Sequence, residues 1–148
     1  MTTDHSTTEN TAASRQNDIL QNIRNNLAME MALFSHIYGN VYEVVSVVSE
    51  IPIANAGDKL DLNDCLCLQV LQNKASVYYH KINTIEELRE HPVIQAMQPE
   101  SYIGVPVYHT GEIFGTLSML SLTPRSHAFT ELEIEQARAA ADALSATL

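Results

Sequence analysis

Residues 101–121 read SYIGVPVYHTGEIFGTLSMLS, two β-branched and aromatic runs separated by Thr110-Gly111. Apolar residues alternate with Gly, Thr and Ser inside both runs, the period of a strand rather than a helix. The pair therefore predicts an antiparallel hairpin. Upstream, ALFSHIY and VYEVVSVVSE repeat the pattern around Gly39-Asn40, a tight-turn pair, and predict a second hairpin. A further strand is expected at 76–82, SVYYHKI.

Helical signals flank these strands. Ile19, Ile23, Leu27 and Met31 recur every four residues from about Asn17, with Leu20 beside them. Asp61 or Asn63 is placed to cap an apolar helix through LCLQVL. Thr84 and Glu87 have capping-box spacing and predict a short helix to about Glu90, and His91-Pro92 restarts the chain with Pro92 in a first turn. The last helix has the fullest set of signals: a Thr130/Glu133 capping box, a Phe129–Ile134 staple and a seam of Ile134, Ala137, Ala141, Leu144 and Leu148. Residues 1–14 lack Ile, Leu, Val, Phe and Tyr and read as a disordered tail, leaving one domain at 15–148. The expected fold class is α+β: a central antiparallel sheet of five or six strands with helices on both faces.

The chain has 148 residues, 18 acidic and 8 basic, for a net charge of −10. Nucleic-acid grips and anionic membrane surfaces recruit Lys and Arg, so neither partner is expected. No apolar run is long enough to span a bilayer, no signal peptide opens the chain, and two Cys make no disulfide framework. A cytoplasmic location is expected.

Taken in order, YGNVYEVVSVVSE at 38–50, GDKLDLNDCLCLQVL at 57–71, HPVIQAM at 91–97, ESYIGVPV at 100–107 and FGTLSMLSLTPRSHAFTELE at 114–133 resemble a GAF domain, a small-molecule sensor module related to PAS domains. The resemblance spans about Asn17 to Leu148 and is nearest to GAF domains upstream of bacterial histidine kinases and diguanylate cyclases. It implies a pocket between one sheet face and its cover, walled by the 62–71 helix, the 84–99 segment and strands 101–108 and 114–121. The seam of the last helix reads either as the parallel dimer helix of a homodimer through the terminal helices, passing a signal to an output partner of one of those two kinds on a longer chain or in trans, or as a helix packed on the outer face of the sheet. Bilin-binding members use a Cys-His dipeptide, which this sequence lacks, so no bilin is expected. Cyclic-nucleotide members pair Asn-Lys with Phe-x-x-x-Asp-Glu. Asn73-Lys74 is present, but Phe129 leads to Glu133-Ile134. Haem is not expected, although His80, His91 and His109 are available.

Within that frame the ligand-binding candidates are Ser46, Tyr102, Thr116 and Ser118, polar groups inside apolar strands, together with Cys67 and His91. An unpartnered buried polar group costs about 1–3 kcal/mol, so such residues must bond a neighbour, water or a ligand. If 62–71 is one helix, Cys65 and Cys67 point roughly 200° apart. One thiol would then see the pocket, or both would be buried small hydrophobes. One GAF branch reduces free methionine sulfoxide with several pocket cysteines, and opposed cysteines argue against that chemistry. No nucleophile elbow, phosphate loop or His-pair metal motif occurs. The expected function is a non-catalytic sensor relaying ligand occupancy through its terminal helices. The alternatives are a dimerisation scaffold with a self-filled pocket and a thiol-based redox sensor at Cys67.

Overall fold

The computed structural model describes residues 4–51 and 54–148. The elements run α1 (Asp4–Leu27), β1 (Met31–Tyr38), β2 (Val41–Ser49), β3 (Lys59–Asp61), α2 (Cys67–Asn73), β4 (Val77–Tyr79), α3 (Pro92–Met97), β5 (Ser101–His109), β6 (Glu112–Ser121) and α4 (Glu131–Ser145). Single 3-10 turns fall at Leu62–Asp64, Ile82–Thr84 and Glu86–Leu88. The strands form one sheet in the order β3-β2-β1-β6-β5-β4, every pair antiparallel.

Strand alternation divides the apolar residues between two faces. Ala32, Phe34, Ile103, Val105, Val107, Leu117 and Met119 meet Leu20, Ile23 and Leu27 of α1 and Ala137, Ala141 and Leu144 of α4. Met31, Leu33, Tyr42, Val44, Tyr102 and Leu120 face the opposite way, under α2 and the turns that follow it. The long terminal helices thus cover one face and the short central elements the other. Each fully buried Leu or Ile contributes about 1.5–3 kcal/mol relative to exposure. The α4 seam turns its Ala137, Ala141 and Leu144 onto its own sheet, all three at 2% exposure or less.

Local signals account for most boundaries. Gly39 takes φ +57° in the β1–β2 turn and Gly111 φ +84° in the β5–β6 turn. The capping box of α4 forms in full: Thr130 Oγ1 accepts from the Glu133 N–H at 3.1 Å, and Glu133 Oε1 accepts from the Thr130 N–H at 2.9 Å. Helix α1 ends where Ala28 turns left-handed at φ +54°. Met31, the last member of the four-residue repeat, therefore lies on β1 and faces the opposite core.

Four expectations need correction. The backbone of α1 begins at Asp4, so most of the expected 1–14 tail continues the helix, whereas residues 1–3 lie outside the described residues. A nucleated helix propagates at little cost per residue, and composition alone missed that. The Thr84/Glu87 box does not form. Thr84 Oγ1 donates to the Lys81 carbonyl at 2.7 Å, and the segment closes as two 3-10 turns. The expected 62–71 helix is broken: Asp61 caps only a 3-10 turn, Cys65 is extended at φ −109°, ψ 143°, and α2 starts at Cys67. Residues Lys59–Asp61, ahead of that turn, pair with Val41–Glu43 as the added edge strand β3.

Arg125 joins the two terminal helices. Its Nη1 donates to the Leu27 carbonyl at the C-terminus of α1 (2.8 Å), and its Nη2 reaches Glu133 Oε2 at 2.5 Å. The guanidinium lies 4.2 Å from the Phe129 ring centroid. Burial alone would push the Glu133 carboxyl up, but the Thr130 N–H and Arg125 outweigh it and hold it below the usual range. Stability from this pair is therefore full above the unfolded carboxylate pKa and is lost as pH falls through the lower folded value. Arg125→Met should cost about 2 kcal/mol near neutral pH. The gap between variant and wild type should narrow toward about pH 3 in urea titrations.

Candidate ligand-binding site

On the face away from α1 and α4, six hydroxyl and thiol groups meet below α2. Ser35 comes from β1, Tyr42 from β2, Tyr102 from β5, Thr116 and Ser118 from β6, and Cys67 from the first turn of α2. Ser35 Oγ lies 2.8 Å from Thr116 Oγ1 and accepts from the Thr116 N–H at 3.1 Å. Cys67 Sγ is 3.1 Å from Ser118 Oγ and 3.4 Å from the Tyr102 hydroxyl, and it accepts from Thr116 Oγ1 at 3.3 Å. The buried Tyr42 hydroxyl lies beside Ser35 and Cys67. Burial first, and then the neighbouring Cys67 thiol, push both tyrosine hydroxyls well above their ordinary range. Both tyrosines therefore stay protonated at physiological pH, and the clustered groups are satisfied largely by one another.

Above the cluster lies a cavity of about 140 Å³, walled by Met31, Leu33, Val44, Leu66, Met97 and Leu120 and by Tyr42, Tyr102, Cys65 and Cys67. Exposed Asp58, Leu60 and Asp64 mark its mouth. A larger open groove of about 400 Å³ lies elsewhere, between the 82–89 turns and α3, and includes none of the clustered hydroxyls.

Of the six residues expected at the site, Cys67, Tyr102, Thr116 and Ser118 come together. Ser46 does not. A bulge leaves Val45 unpaired between the Phe34–Ser46 and Ser35–Val44 pairs, and this reverses the side on which later β2 residues point. Ser46 Oγ consequently donates to Gln16 Oε1 of α1 at 2.8 Å, and Gln16 Nε2 donates to Thr147 Oγ1 at 3.0 Å. His91 is half-buried against the back of the cover, bonded to the Cys65 backbone, and is not among the cavity-lining residues. Burial lowers its pKa, partly offset by Asp64.

The two cysteines are not opposed. Because Cys65 is in extended backbone before α2, both line the cavity, and the geometric objection to paired pocket thiols falls. The chemical environment is another matter: burial, and then Cys67, push the Cys65 thiol up to about 12. It stays protonated at neutral pH and makes a poor nucleophile. Ser35 and Tyr42 were missed in the sequence. Ser35 sits inside the apolar run ALFSHIY, the same signal that drew attention to Ser46, but only the bulge tells which serine faces the cluster.

The GAF domain family profile matches residues 14–148, and the chain belongs to this family of small-molecule-binding sensory domains. Among curated protein sequences none matches. The solved structures it resembles include a GAF domain region of a putative membrane protein from Geobacter sulfurreducens PCA, at TM-score 0.77 and 16% identity over 97% of each chain. The type II free methionine-R-sulfoxide reductase of Thermoplasma acidophilum is similar at TM-score 0.75 and 17% identity, covering 95% of this chain and 94% of that one. The phycoerythrobilin-bound GAF domain of a cyanobacterial phytochrome is similar at TM-score 0.71 and 13% identity, covering 93% and 87%. At these identities the likeness is one of fold.

Thr116→Val keeps the shape of the side chain but withdraws a hydroxyl from Ser35, Cys67 and Ser118. It should cost about 1–3 kcal/mol in urea denaturation. A thiol reagent near neutral pH should label neither cysteine of the native chain, and both once urea unfolds it.

Proposed function

We propose that this chain is a non-catalytic sensory module in which α1 and α4 report occupancy of the cavity to a signalling partner. One observation carries the reading: residues of the same strands line the cavity floor and seat the terminal helices. Thr116 and Ser118 point to the cluster, while Leu117 and Met119 between and beside them pack against α1 and α4. A ligand that displaces the floor shifts the helix seat, by no more than its differential affinity for the two arrangements.

The non-catalytic part rests on the site chemistry. The cluster is built of hydroxyls and a thiol, and among the described residues neither a His nor a carboxylate, the commonest general bases, belongs to it. A tetrapyrrole suits the cavity poorly. Cavities of about 150 Å³ accept a single benzene ring, whereas a tetrapyrrole has four rings. As the α4 seam packs on its own sheet, a homodimer would use other faces of the terminal helices, where Leu132 is 68% exposed. A histidine kinase or diguanylate cyclase is the output partner proposed from the family resemblance. Among the described residues no helix is long and apolar enough to cross a membrane.

A scaffold reading has one specific support. The Tyr102 ring lies over Gly104, where a Cβ would run into its hydroxyl, so the chain fills part of its own pocket floor. Thermal melts against metabolites, nucleotides, amino acids and small neutral organic molecules separate the two. A ligand at 100 times its Kd adds about 2.7 kcal/mol. For a chain of this length that raises Tm by about 5–10 °C. A panel in which no compound moves the melt would leave the scaffold reading standing and remove the sensory one.

A further inference from the structure

We infer that the cavity takes a compact, uncharged, largely apolar molecule of one-ring size bearing a hydrogen-bond donor, of the phenol or small-alcohol kind. The inference rests on the sensory reading and names the chemistry of the same site.

Size comes first. Drug-sized ligands occupy pockets of about 300–1,000 Å³. The cavity here, about 140 Å³, matches the volume at which an aliphatic cavity accepts one benzene ring. Charge comes second. Among the described residues lining the cavity there is no Lys, Arg or His, and its charged groups are the carboxylates of Asp58 and Asp64 at the mouth. An anion would pass two like charges and then lose its hydration against Met31, Leu33, Val44 and Leu120 with no cation to pair it.

The donor preference follows from counting protons. Each of the six clustered groups carries one O–H or S–H proton and two lone pairs, so the cluster as a whole accepts more hydrogen bonds than it donates. Tyr102 lines the cavity, and its hydroxyl is bonded at 3.4 Å to a thiol, a weak partner that leaves it capacity to accept. A ligand O–H or N–H meets that capacity. A ligand with acceptors alone meets donors already committed within the cluster.

Calorimetric titration of the full chain near neutral pH with phenol, anisole and benzoate tests this, since the three share a ring and differ in donor and charge. Phenol should bind about tenfold tighter than anisole, and benzoate should give no measurable heat. Tyr102→Phe should bring phenol to the level of anisole and leave anisole unchanged. Leu33→Phe, which fills the cavity from β1, should abolish binding of both, so the test does not depend on one variant folding. Benzoate binding tightest, anisole equal to phenol, or retention of phenol by Leu33→Phe would each overturn the inference. If none of the three binds while nucleotides or amino acids raise the melt, the ligand class is wrong and the sensory reading stands. If no compound of any class binds, both fail.

Discussion

Where β1 crosses β6, the carbonyl of Ser35 presses on the α-carbon of Gly115 so closely that no Cβ fits between them. This approach organises much of the sheet. The β1–β6 ladder ends at Phe34–Leu117, and at the same point β1 and β2 slip by one residue around Val45. Ahead of the slip Tyr42 and Val44 face the cavity side, as Ser35 does by alternation along β1, and beyond it Ser46 faces α1. A β-carbon at position 115 would push these strands apart, and the hydroxyl cluster that spans them would separate.

The cluster and the helix face are two sides of one thin layer. Thr116 and Ser118 reach Cys67 on one side, while Leu117 and Met119 meet the terminal helices on the other. Two further links bind those helices to each other at opposite ends. Arg125 ties the end of α1 to the start of α4, and the Ser46–Gln16–Thr147 chain ties β2 and α1 to residues just beyond α4. The helices thus form a clamped pair over the strands beneath them. Buried polar networks of this kind are costly when partly satisfied.

Features written in short stretches of chain were legible from the residues. The Gly39 and Gly111 turns, the alternation of 101–121, the Thr130/Glu133 box and Pro92 in a first turn each depend on neighbours within a few positions. Tyr102, Thr116 and Ser118 also converge, because a polar residue in an apolar strand must find a partner, and Cys67 joins them from α2. The misreadings share a cause. Ser46, the opposed cysteines, the 84–90 helix and the missing β3 all turn on a backbone interruption that no local pattern marks. In each case a bond or pairing to another segment, or a side chain turned back on its own turn, outweighed the periodic signal.

By itself the sequence determined the α+β class, the hairpins and the capped final helix, because periodicity and capping are local properties of a chain. The tertiary structure decided which hydroxyls meet, that both thiols face the cavity, and that the cavity is one ring in size. Those outcomes depend on a one-residue bulge and a glycine contact between strands 80 residues apart in sequence. Register across such a separation is set by how the strands pack, and a single-residue slip reverses every side chain beyond it.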